Sequence, residues 1–198
     1  MSGVGSLNCK CLGEGNTSRR YRRVAKPREG KMDQRLRWMS ENVQGAYNAR
    51  HPDGHIKDGG DDHCTNSGTC ILVSCYMEAL GKVLLRGKDG PGRRFKEFIE
   101  RCMPDLDSEL KATGIIKPHA WFYRNFRSAF VHGYPKRWYA WKRGGSGKYL
   151  LKDKHQKKDA ILNIDEFVAG FERGLKRFKE CAVADPDLEI NFIPYISK

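Results

Sequence analysis

The sequence predicts a mainly α-helical bundle carrying one small β-hairpin insertion. Three observations lead there. Ile164, Phe167, Val168, Phe171, Leu175 and Phe178 recur at helical spacing. Residues 70–86 are almost uninterruptedly apolar and long enough for a central helix buried over much of its circumference. One Gly-rich stretch, Arg143-Gly-Gly-Ser-Gly147, is flanked by aromatic and basic residues in the manner of a hairpin. The chain has 198 residues and 39% hydrophobic content, which fits one domain with a sizeable core plus polar appendages. The expected division is a basic arm over 1–32 and a single helical domain over 33–198, with the insertion at about 135–158.

Residues 13–32 are rich in Gly, Ser and Arg with little apolar patterning, and read as a mobile arm. A helix is expected from near Asp33, with Leu36, Met39, Val43 and Tyr47 on one side and Trp38 at the edge of that stripe. Residues 50–64 read as a loop from their Gly, Pro and Asp content. His51, His55, His63, Cys64 and Cys70 look superficially like metal ligands. Their spacing matches no closed zinc pattern, so no metal is assigned.

The helix over 70–86 contains one acid, Glu78. Its plain reading is an ion pair with Lys82, four residues on; the competing reading is a carboxylate that orients an arginine of a neighbouring helix. After a turn at Lys88–Gly92, the residues Phe95, Phe98, Ile99 and Cys102 mark another amphipathic helix, ended by Met103-Pro104. A short helix over 106–113 should follow. Residues 118–133 then read as one helix, opened by Pro118 and closed by Gly133, with Phe122, Phe126, Ala129 and Phe130 on its apolar face.

In the insertion, segments 137–142 and 148–152 are the expected strands. Trp138, Tyr139, Trp141 and Tyr149 stand among Arg137, Lys142, Arg143 and Lys148, a mixture that can stack bases while contacting phosphates; the competing reading has the aromatics packed inward and the basic residues solvated. Gly145-Ser-Gly-Lys148 fails as a phosphate loop: Lys142 stands where the first glycine is needed, and Tyr149 where a Ser or Thr would hold magnesium. Asn163 then reads as an N-cap, with Glu166 completing a capping box for the last helix.

The formal charge of +13 is unevenly placed. Residues 1–31 hold eight Lys/Arg against Glu14 and Glu29, and residues 135–158 hold nine against Asp153, leaving the rest close to neutral. Two basic blocks on a neutral body point to a polyanionic partner, with nucleic acid the leading one. A mean hydropathy of −0.69, with no apolar run near 20 residues, argues against a membrane span. Seven cysteines without a secretory signal read as reduced thiols in a cytoplasm.

The helix over 118–133 carries the chemistry. Arg124, Asn125, Arg127, Ser128 and His132 flank its apolar face. On an ideal helix Asn125, Ser128 and His132 fall within roughly 60° of one another, while Arg127 lies about 140° from His132. The reach of a long Arg side chain, or a loosened last turn before Gly133, is needed for that pair to meet. A guanidinium grips a phosphate with paired hydrogen bonds, and an imidazole exchanges protons near neutrality. Together they suit RNA cleavage, in which the substrate's own 2′-hydroxyl is the nucleophile.

Arg127, four residues, then His132-Gly133 resembles the Arg-x(4 to 6)-His signature of the HEPN superfamily. The wider similarity covers roughly Cys70 to Glu180 and rests on helix order and the Val-His-Gly ending. Ser128 departs from the Asn, Asp or His that often follows the family's Arg. The resemblance implies a HEPN-like helical bundle and an endoribonuclease that needs no metal or other cofactor, with its active site formed by two motifs across a homodimer. Arg127 and His132 would be catalytic, assisted by Asn125 and Arg124; Arg137, Trp138, Trp141, Lys142, Arg143 and Lys148 would bind the nucleic acid. Phage defence or toxin activity, with an antitoxin or defence-system partner protein, is implied as well. The alternative is a HEPN-like module that binds nucleic acid without cleaving it.

Overall fold

Apolar residues at helical spacing build the described part of the chain, and what each helix buries fixes its neighbours. The computed structural model describes residues 30–48, 63–87, 89–128, 147–151, 161–185, 187–188 and 192. In order these form α1 (Lys31–Asn48), α2 (His63–Leu84), α3 (Pro91–Cys102), α4 (Pro104–Ala112) and α5 (Pro118–Phe122). A π-helical turn (Tyr123–Ser128), β1 (Leu150–Leu151), β2 (Ile161–Leu162) and α6 (Ile164–Ala184) complete them. The fold is thus the expected mainly α-helical bundle with a small two-stranded insertion.

The near-continuous apolar run of α2 requires cover on several sides, and α1, α3, α6 and the π turn supply it. Val73, Met77, Leu80 and Val83 are fully buried there. Against α3 the approach is close enough to need a residue without a Cβ: one built on Gly81 would lie 1.8 Å from the Arg94 carbonyl oxygen. The rest of the core is aromatic. Phe122 joins three elements, with ring centroids 5.9 Å from Phe95 on α3, 4.7 Å from Phe126 in the π turn and 6.0 Å from Phe167 on α6. Each such pair contributes about 0.5–1.5 kcal/mol beyond the area it buries.

Helices α1 and α6 run antiparallel. Lys179 pairs with Asp33 at 2.6 Å, the Ser40 hydroxyl donates to Glu172 at 2.8 Å, and the Tyr47 hydroxyl donates to Asp165 at 2.6 Å. The three contacts recur every seven residues in both helices and in opposite sense, the spacing that keeps one seam facing its partner over about 20 Å. Leu36, Met39 and Val43 are buried as expected, and Trp38 stays 46% exposed.

Several local expectations change. α2 begins at His63 rather than near Cys70, because no proline intervenes and Gly68 lies in open space where the helix winds through unhindered. Pro104 opens α4 as well as ending α3, its fixed φ suiting the first helical position. Asn163 does precede α6, but its side chain makes no cap: Nδ2 donates to the Lys148 carbonyl at 3.0 Å, and Glu166 pairs with Arg173 instead of closing a capping box. The strand pair is antiparallel, Leu150 opposite Leu162 and Leu151 opposite Ile161. It lies downstream of the expected pairing, whose 137–142 half is outside the described residues. Among the described residues no helix is long and apolar enough to cross a membrane.

The two glycines of α2 offer a paired test. Gly81→Ala should destabilise by about 2 kcal/mol or more in urea unfolding, since the clash is with backbone. Gly68→Ala, with nothing within 4 Å of the added Cβ, should be neutral to stabilising by about 0.5–1 kcal/mol.

Candidate functional site

The helix that carries the Arg-x4-His pattern does not run as one regular element. It is α-helical from Pro118 to Phe122 and then widens into the π turn, Tyr123–Ser128. The last turn before Gly133, where loosening is one of the two ways for Arg127 to meet His132, lies outside the described residues; the π turn precedes it, in the segment that holds Arg127. His132 itself lies outside the described residues, as do Arg137, Trp138, Trp141, Lys142 and Arg143. Turns of this kind recur at functional sites because the extra residue redirects side chains that a regular helix would hold in line.

Within the turn, Arg127 points inward. Its Nη2 lies 2.6 Å from Glu78 Oε2 on α2, and the two side chains are only 13% and 17% exposed. Its guanidinium carbon sits 5.6 Å from the centre of the Tyr123 ring, within range of a cation–π contact. Burial pushes the Cys75 thiol and the Tyr123 phenol upward, and the Arg127 charge partly opposes both shifts. The acid of α2 therefore reaches the arginine of the neighbouring element, the competing of the two sequence readings. Asn125 donates from Nδ2 to the Trp121 carbonyl at 2.8 Å, which ties it to its own helix. Arg124 points elsewhere and is exposed.

Arg124 lines a surface cavity of about 630 Å³ together with Arg93, Lys96, Glu100, His119 and Tyr123. His119 was not legible as functional from the sequence. The ring is 8% exposed, and its Nε2 lies 2.7 Å from Asp107 Oδ1 on α4. Asp107 Oδ2 also accepts from Lys111 at 2.6 Å. Burial would raise the Asp107 carboxyl, but the hydrogen bonds and charges of Lys111 and His119 outweigh it and hold the group below the usual carboxylate range. Just ahead of α5, Lys117 adopts φ +55°, a conformation side chains rarely take and one a following proline makes rarer still. That kink delivers His119 onto Asp107.

Glu100, Asp107 and His119 place one potential ligand atom each within 4.8 Å of one another. Lys111 already holds Asp107, and Lys96 lies 3.6 Å from Glu100. The group is therefore a hydrogen-bonded, charge-matched network whose lysines occupy the carboxylates a cation would need. The loop with His51 and His55 lies outside the described residues.

The insertion is anchored from below. The backbone N–H groups of Tyr149 and Leu150 donate to the Glu109 carboxylate at 3.0 and 2.7 Å. Tyr149 is buried, with its hydroxyl accepting from Arg173 at 3.0 Å and packed so close to Gly170 that a Cβ there would lie 2.2 Å away. It is therefore unavailable for stacking on a base, and for this residue the inward-packing reading of the insertion's aromatics holds. Lys148 is exposed at the edge of the insertion. Cys70, Cys75, Cys102 and Cys181 are free thiols. No protein-family model, curated protein or solved structure matches this chain.

Two outcomes follow from these contacts. Glu78→Gln should cost about 2 kcal/mol in chemical unfolding by leaving a largely buried guanidinium without its counter-charge. Because the Asp107 carboxyl is held low in the folded state, its contribution to stability is present above about pH 4 and is lost as pH falls through the depressed value. The stability gap between wild type and Asp107→Asn should thus be open at neutral pH and close in acid, as followed by thermal melts across the pH range.

Proposed function

We propose that this protein is an endoribonuclease of the HEPN kind that cleaves RNA without a metal, acting as a homodimer in a cytoplasm. The observation that supports it best is the buried Arg127–Glu78 pair within a π turn, at the start of the Arg-x4-His-Gly pattern. A guanidinium has five donors in a planar fork, and a carboxylate on one nitrogen fixes the plane in which the others are presented. In the reaction Arg127 steadies the charge that builds on the scissile phosphate. His132 exchanges the proton as the substrate 2′-hydroxyl attacks, and a 2′,3′-cyclic phosphate and a 5′-hydroxyl result. The basic block over 135–158, with Lys148 at its described edge, supplies sequence-independent attraction to the RNA. A role in phage defence or as a toxin, with an antitoxin or defence-system partner, belongs to the same reading.

The same ion pair favours one second reading, a non-catalytic nucleic-acid-binding module, since Glu78 compensates the charge that cleavage would use. Incubating a mixed pool of single-stranded and hairpin RNA with the protein in EDTA separates the two. Cleavage that survives chelation and drops by about 100-fold or more in Arg127→Gln and in His132→Ala supports the nuclease. Intact RNA, retained by wild type and both variants with steep salt dependence, supports the binding module.

A further inference from the structure

The two arginines of the π turn serve different places, because Arg127 is committed to Glu78 while Arg124 belongs to the cavity beside α3 and α5. The charges around that cavity cancel in pairs. Arg93 lies 3.0 Å from Asp89, Lys96 lies 3.6 Å from Glu100, and Arg101 lies 2.8 Å from Glu97. Each is a match between residues four apart on the rim. Among the described residues lining the cavity, Arg124 is the cation left without an acidic partner. His119 stands beside it with a ring nitrogen to spare: Nε2 engages Asp107, and Nδ1 has no protein hydrogen-bond partner among the described residues. A planar guanidinium and an imidazole held by a carboxylate, lining one open concavity, form a receptor for a tetrahedral anion.

We propose that this cavity binds a phosphate group of a nucleotide, gripped by Arg124 and hydrogen-bonded by His119, which Asp107 holds in place. This goes beyond the nuclease reading: of the residues named for cleavage it shares only Arg124, and neither Arg127 nor His132 takes part. Arg124 supplies two parallel donors to the phosphate oxygens. His119, held through Nε2 by Asp107, hydrogen-bonds the phosphate through Nδ1. The charged groups that line these cavities or touch the ring are Asp107 and Lys111 from α4, Arg93, Lys96, Glu97 and Glu100 from α3, Lys117 ahead of α5, and Arg124 after it. They leave an excess of positive charge, which an anion relieves. The cavity of about 630 Å³ admits more than a bare phosphate, so a sugar or base can lie along it.

The test titrates the full chain with inorganic phosphate, with 5′-AMP and with a 2′-O-methyl RNA tetramer that has no hydroxyl to attack. Calorimetry gives the affinity, and the NMR signals of the His119 ring report the place. Binding is expected to shift those ring signals, to weaken by about tenfold or more in Arg124→Gln and by less in Arg124→Lys, and to be unchanged in Lys176→Gln on the outer face of α6. Tightest binding of 5′-AMP makes the ligand a free nucleotide; tightest binding of the tetramer makes it a strand phosphate. Thermal melts that match wild type keep the variants interpretable. Ring signals that stay still at millimolar probe would overturn the proposal, as would equal losses in Arg124→Gln and Lys176→Gln.

Discussion

An acid placed within an apolar helix sets a demand that the surrounding elements must meet. Glu78 stands on α2 among residues as buried as Met77 and Leu80, and a carboxylate there costs several kcal/mol unless a cation reaches it. Arg127 meets the demand at 2.6 Å, and it does so from a turn that departs from regular α-helical winding. The neighbouring Phe122 and Phe126 are buried in the common core, so the turn is held by apolar packing on one flank and by charge on the other. Helix placement, the widened turn and the direction of each arginine are coupled through this one contact. Arg127 faces inward; Arg124, three residues earlier, is left to the surface.

The bundle itself was legible in the sequence wherever burial is periodic. Phe95, Phe98, Ile99 and Cys102 on α3, and Phe167, Phe171 and Phe178 on α6, sit where helical spacing puts them, because hydrophobic burial is non-directional and needs only the correct face. Directional interactions were harder to read. Asn163 and Glu166 have the residue types of a capping box, yet Asn163 binds the Lys148 carbonyl and Glu166 binds Arg173, partners brought close by the tertiary fold. The same holds for Tyr149, whose basic sequence neighbours gave no sign that Gly170 would leave a slot for its ring.

The candidate site divides in the same way. Arg127 could be named from its spacing to His132, and Glu78 from being the single acid of an apolar helix. His119 could not. Its partner Asp107 lies twelve residues away on another helix, and the contact depends on the left-handed backbone at Lys117, which no local pattern announces. Lysine before proline is ordinarily extended, so the sequence favoured a different path into α5. A histidine after a helix-opening proline reads as surface, whereas the fold buries it against a carboxylate.

The antiparallel seam between α1 and α6 also sets the distance between the points at which the two basic blocks join the bundle. Lys31, where the chain leaves its basic first block, lies beside the Lys179 end of α6, while β2 and Asn163 lead from the second block into the opposite end. The two ends of the seam, at Asp33 with Lys179 and at Tyr47 with Asp165, are about 20 Å apart along the fourteen helical residues from Asp165 to Lys179. At about 3.4 Å per nucleotide of one strand, that separation corresponds to roughly six nucleotides. On the RNA-binding reading proposed above, a ligand of two or three nucleotides would meet one of these ends at a time, whereas a longer strand laid along α6 would pass both and gain the benefit of bivalent attachment.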